Sequence, residues 1–201
     1  IVVRGNDILV LHNKLAFQGI SEAIPYIFKC IDPDFGKYFG ADCENYVRGI
    51  LDRSEIEYID ENEILDQYTQ RGIEGKVVDF RVQHTREVYI EVKSQDPPPK
   101  MKHLREAYFL KRMNKSLLEG VRQIQDCVWN CTGGDPSSEE RFGLIVTYSE
   151  LGFLTALDAS HASRIKLNES LTEKYGCVPI PLNKIFICSL LTLERLLVNC
   201  S

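Results

Sequence analysis

Residues 75–94, GKVVDFRVQHTREVYIEVKS, constrain this chain more than any other stretch. They predict two strands, 77–82 and 87–93, joined by the polar turn 83–86, a hairpin by length and composition. Both strands are rich enough in Val and Ile to sit in the middle of a sheet. A central strand tolerates charge poorly unless the charge is paired or metal-bound. Asp79, Glu91 and Lys93 therefore stand out. Strand side chains alternate, so Val88, Ile90 and Val92 share one face and Tyr89, Glu91 and Lys93 the other.

Two carboxylates near one point repel unless a proton or a cation lies between them. Hard oxygen ligands of this kind suit Mg²⁺, and an ammonium beside the cation can orient and polarise a water. Together they are the groups that phosphodiester hydrolysis needs. An E-x-K pair on a strand face is by itself also what a solvated salt bridge looks like. The acid upstream, inside an apolar strand, tips the balance toward chemistry.

At 201 residues the chain is one domain, or one domain with a small appendage. Residues 1–35 are expected to form a leading strand and helix, and 36–201 the core. No apolar run is long enough to cross a bilayer, which predicts no membrane partner. No basic region followed by an apolar one opens the chain. Its first residue is Ile1, which suggests a piece of a longer chain with a further N-terminal domain or a partner protein. Seven scattered cysteines without a C-x-x-C leave three readings, reduced thiols, zinc or disulfides; reduced thiols in a cytoplasmic protein come first. Cys127 and Cys131 would share a helix face.

The net charge of −5 argues against a protein that coats nucleic acid indiscriminately. Within 100–122, however, seven basic residues stand against Glu106 and Glu119, a local balance of +5 on a body of −10. Lys100, Lys102, Arg105, Lys111, Arg112 and Lys115 suit one-sided contact with phosphates. The same pattern also describes a solvated helix face.

Along the chain, 8–12 predicts a strand and 21–30 a helix with Ser21 as its cap. Apolar spacing predicts an amphipathic helix over 37–52, with Glu44 beside its stripe. The acidic segment 54–66 is expected to hold a strand at 56–59, then a short helix through Tyr68 that closes at Gly72. After the hairpin, Pro97, Pro98 and Pro99 break regular structure. Two helices follow, 103–115 and 116–131, the second opened by a Ser116/Glu119 capping box and buried along Leu117, Val121, Ile124 and Val128. A buried strand at 142–148, helices at 154–160 and 162–175 stopped by Gly176, a strand at 185–188 and a closing helix at 190–198 complete the reading.

The order (helix with Glu44, strand with Asp79, strand with Glu91-Val92-Lys93, helix with Gln123) resembles the PD-(D/E)xK nuclease superfamily, the restriction-endonuclease-like fold. The resemblance implies an α/β fold with a central mixed sheet of about four to five strands flanked by helices on both sides. It implies that Asp79, Glu91, the carbonyl of Val92 and Glu44 hold Mg²⁺, for which Mn²⁺ can substitute. Lys93 would then position or activate water, and Gln123 would order the lysine or the substrate. Val78 stands where the motif name has proline. Cys127 stands where a fuller glutamine-helix signature has tyrosine, so Gln125 remains a rival to Gln123. The implied activity is nucleic-acid cleavage, DNA ahead of RNA, in restriction or anti-phage defence, with a homodimer favoured for cutting both strands. Two alternatives stay open: a nuclease-fold module without catalysis that binds nucleic acid or a protein partner, and an acidic adaptor whose hairpin charges form surface salt bridges.

Overall fold

A computed structural model describes residues 2–4, 7–9, 23–25, 27–32, 34–94, 107–135, 140–151, 153–163 and 166–198; at 2–4, 7–9, 107–115, 162–163 and 198 only the backbone is described. Strands β1 (Val2–Arg4) and β2 (Asp7–Leu9) form a small antiparallel hairpin. β2 covers 8–9 of the strand expected at 8–12, and 10–12 lie outside the described residues. Residues 23–25 and 27–31 are helical, one residue past the helix expected at 21–30.

The main sheet has five strands in the order β3 (Tyr58–Asp60), β4 (Phe80–Gln83), β5 (Glu87–Lys93), β6 (Arg141–Thr147) and β7 (Ile185–Ser189). The β3, β4 and β5 pairings are antiparallel, and β5, β6 and β7 run parallel. The fold is thus α/β with a mixed sheet, as expected. Helices α1 (Phe35–Arg53) and α6 (Leu190–Val198) cover one face. Cys43, Val47, Ile50, Leu51, Leu190 and Leu193 pack there on Phe80, Ile90, Val92 and Val146. On the other face lie α2 (Glu61–Arg71), α3 (Ala107–Thr132), α4 (Ala156–Ser163) and α5 (Leu167–Tyr175), over Tyr89, Ile145, Ile185 and Ile187. Covering both faces is what a sheet with parallel strands requires.

Two expectations need correction. The strand foreseen at 77–82 begins only at Phe80. Its outer neighbour β3 is three residues long and gives way to α2 at Glu61, so 77–79 have no ladder partner on that side; Asp60 pairs with Phe80 and the register stops. Val77 and Val78 are buried all the same. The helices expected at 103–115 and 116–131 are one helix, α3, whose described part starts at Ala107. Nothing between 107 and 115 breaks a helix, and S-x-x-E fits a helix interior as well as its start, so the Ser116 cap does not form. The real capping box is at α2. Asp60 Oδ1 accepts from the Glu63 backbone at 3.1 Å, and the Asp60 backbone donates to Glu63 Oε2 at 3.0 Å. Gly72 closes that helix at φ 64, a left-handed conformation that favours glycine.

Candidate active site

Asp79 sits just ahead of β4 and ends the β4–β5 ladder with its own side chain. The backbone N–H of Val92 donates to Asp79 Oδ2 at 2.6 Å. The carboxylate takes the donor that the next β4 residue would otherwise satisfy, and it is held beside the strand carrying Glu91. Glu91 lies in the middle of β5, pairs in register with Ile145 of β6, and is 1% exposed. Lys93, two residues on and on the same face, donates to Glu91 Oε1 and to Gln123 Oε1, the latter at 3.3 Å. Gln123 Nε2 in turn donates to the carbonyl of Val77 at 2.8 Å. The chain from Glu91 through Lys93 and Gln123 to Val77 ties the hairpin to α3.

That approach needs a residue without a side chain. A Cβ at Gly120 of α3 would lie 3.3 Å from Lys93 Cε and 3.5 Å from Glu91 Cγ. Glycine there lets the helix lie directly on the two charged side chains.

Burial sets the electrostatics. The Glu91 carboxyl is pushed up to about 8, first by loss of water and then by Asp79, against the pull of Lys93. Asp79 rises to about 6, again mainly by burial, with the Val92 N–H opposing and Glu44 adding. Glu44, on α1, is raised by burial and by Glu61, while Lys93 and Arg48 pull it down. Four acids and one lysine therefore feel one another here. Glu61, in the acidic segment 54–66, is the one that the sequence does not mark as a site residue. It is exposed and opens α2 immediately after Asp60, so the Asp60–Phe80 pairing brings it toward Asp79. Only that register, not any local motif, signals it.

The residues fit a small divalent cation. Glu91 Oε2 is buried without a hydrogen-bond partner, an arrangement that a proton or a cation would satisfy. Asp79, the neighbouring acid, is likewise held toward neutrality by its surroundings. Among the described residues no three His, Cys, Asp or Glu side chains gather into a cage. Glu44 is coupled to the site through its charge. Two carboxylates with a backbone carbonyl suit Mg²⁺, which keeps several waters and shares its remaining positions with substrate phosphates.

The glutamine alternative resolves on position. Gln125 is fully buried and faces away from the site, with both ends of its amide bonded to the backbone of Ile180, at 2.6 and 2.8 Å. Gln123 is the one that touches Lys93. Lys100, Lys102 and Arg105 lie outside the described residues, as do the side chains of Lys111, Arg112 and Lys115 on the first turns of α3. Cys127 and Cys131 do share a helix face, with their sulfurs 3.9 Å apart. The six described cysteines are all free thiols. Among the described residues, no helix is long and apolar enough to cross a membrane.

Compared with family models, with curated proteins and with solved structures, the chain finds no match.

Proposed function

We propose that this domain is a Mg²⁺-dependent nuclease of the restriction-endonuclease-like kind, cleaving phosphodiester bonds in nucleic acid, DNA ahead of RNA. The observation that carries the reading is the Glu91 carboxylate. It is sealed in the sheet with one oxygen on Lys93 and the other without a partner, beside a second, half-buried acid, Asp79. Asp79, Glu91 and the Val92 carbonyl would hold the cation. When bound, Mg²⁺ supplies positive charge at the scissile phosphate and makes a nearby water more acidic. Lys93 does the rest from the chain's side: its Nζ, steered by Gln123, donates toward the attacking water or the phosphate oxygen as negative charge develops there. Glu44 and Glu61 keep the mouth of the site negative, which favours cations and leaves the polyanion to be drawn in by the basic segment 100–122.

Plasmid DNA and a structured RNA, each incubated with Mg²⁺, Mn²⁺ or EDTA, test this directly. DNA cut with either metal and untouched in EDTA is the expected result. Intact substrates under all conditions would remove the enzymatic reading. The Glu91–Lys93 ion pair favours a second reading, a module of the same fold that binds without cutting. In that case Lys93→Ala would lower stability and there would be no cleavage to lose.

A further inference from the structure

Residues 77–79 have no ladder partner on their outer side, and α3 holds them instead. The Val77 carbonyl accepts from Gln123 Nε2 at 2.8 Å. One helical turn further along α3, the sulfur of Cys127 accepts from the Val78 N–H. Asp79 follows directly. The Cys127 sulfur has a second neighbour: Cys131 Sγ lies 3.9 Å from it, and 3.9 Å from the Tyr68 hydroxyl, which donates to the Cys127 carbonyl at 3.2 Å. Cys127 is fully buried, whereas Cys131 is only half-buried. The Cys131 thiol is held below its ordinary value, first by the hydrogen bond from Cys127 and also by the Arg81 guanidinium, against its burial. The same hydrogen bond, and then burial, push Cys127 up. One thiol is thus activated and reachable, with the second directly behind it.

We propose that Cys127 and Cys131 are an oxidation site for hydrogen peroxide, and that the disulfide they form loosens the segment carrying Asp79 and so weakens the candidate site. The Cys131 thiolate attacks one peroxide oxygen: an S–O bond forms, the O–O bond breaks, and the departing hydroxide takes a proton and leaves as water. Cys131 is then a sulfenic acid. The Cys127 sulfur attacks that sulfur, the S–S bond forms, the S–O bond breaks, and hydroxide leaves with the Cys127 proton as a second water. Two thiols are oxidised and one peroxide is reduced. An intact helix keeps Cβ atoms four residues apart at about 5–6 Å, where a disulfide needs about 3.8 Å, so the last turn of α3 must open. It is placed to do so: α3 ends at Thr132, and Gly133 and Gly134 follow at φ 64 and 85. A bridge that demands such yielding is readily reduced again. Once the Cys127 sulfur turns to Cys131, the buried Val78 N–H loses its acceptor. The inference rests on the proposed function for what is weakened, but the thiol chemistry is read without it.

The experiment exposes the whole chain to hydrogen peroxide, alkylates the remaining thiols in denaturant and digests with trypsin, which releases both cysteines in one peptide, 123–141. Wild type should yield that peptide unalkylated and two hydrogens lighter by mass, and dithiothreitol should reverse the change. The oxidised protein should bind Mn²⁺ about tenfold more weakly than the reduced one, the lower end of what an outer partner of a metal is worth. Its amides at 77–79 should exchange with deuterated water faster. Cys131→Ser should match reduced wild type in Mn²⁺ affinity and lose the response to peroxide. Cys127→Ser should instead carry a sulfenic acid at Cys131 that dimedone traps; circular dichroism checks that both variants fold. A peptide 123–141 that stays reduced while other cysteines oxidise overturns the proposal, as does one in which Cys131 passes to sulfinic acid without bridging. A bridge that leaves both Mn²⁺ affinity and exchange at 77–79 unchanged overturns it too. A bridge that speeds exchange at 77–79 in a protein that binds no Mn²⁺ and cuts no DNA would remove the proposed function and support the switch.

Discussion

A carboxylate with one oxygen buried and unbonded is costly to keep in a fold, and the cost at Glu91 depends on pH. The acid values of Glu91 and Asp79 in the folded chain, about 8 and about 6, lie above their ordinary values of 4.5 and 3.8. For acids shifted upward, the stability is fully present below the ordinary value and is lost as pH rises through the folded one. Without divalent ions, the melting temperature should therefore fall from about pH 4 to about pH 8. Glu91→Gln should flatten that fall, and added Ca²⁺ should offset it in wild type but not in the variant. Thermal melts across that range read the outcome; a melting temperature that rises with pH over this window would contradict the assigned burial. The two glutamines make a second test at this scale. Gln125→Ala strands the N–H and C=O of Ile180 and should cost about 2–5 kcal/mol in chemical denaturation. Gln123→Ala should cost much less and should instead slow cleavage, because it releases Lys93. Similar destabilisation by both would make Gln123 a structural residue only.

Helices and strands differ in how much of them the sequence disclosed. Strand β5, Glu87–Lys93, was read to the residue because its alternation and β-branched content leave one register. Helix α6 was equally clear, as was the buried stripe of α3 at Leu117, Val121, Ile124 and Val128. The start of β4 was not legible. Whether Val77, Val78 and Asp79 join a ladder depends on how far β3 extends, and β3 ends because Asp60 caps a helix. The local pattern of 77–79 contains none of that information. The single helix α3 was misread as two for a related reason: S-x-x-E carries a cap only when the preceding residues leave the helix. Gly120 illustrates the limit from the other side. Its role is to admit Lys93 and Glu91 beneath the helix, a requirement set by the opposite layer and not by the helix itself.

At the scale of the molecule, the mixed sheet covered by helices on both faces was expected from the resemblance that the order of strands and helices carries. The convergence of Asp79, Glu91 and Lys93 followed from one hairpin, and was legible for that reason. The approach of Glu61 was not, since it depends on β3 and β4 becoming neighbours. The central claim is that two acids hold a cation and one lysine acts beside it. Mn²⁺ binding and DNA cleavage, measured side by side on wild type, Asp79→Asn, Glu91→Gln and Lys93→Ala, test it most directly. Each carboxylate variant should lose affinity for Mn²⁺ by at least the 10- to 100-fold that even outer partners of a metal are worth, and lose cleavage with it. Lys93→Ala should bind Mn²⁺ close to normally while cleavage falls by about a hundredfold or more. Full metal-dependent cleavage by Lys93→Ala, or Mn²⁺ binding unchanged in Asp79→Asn and Glu91→Gln, would contradict the site.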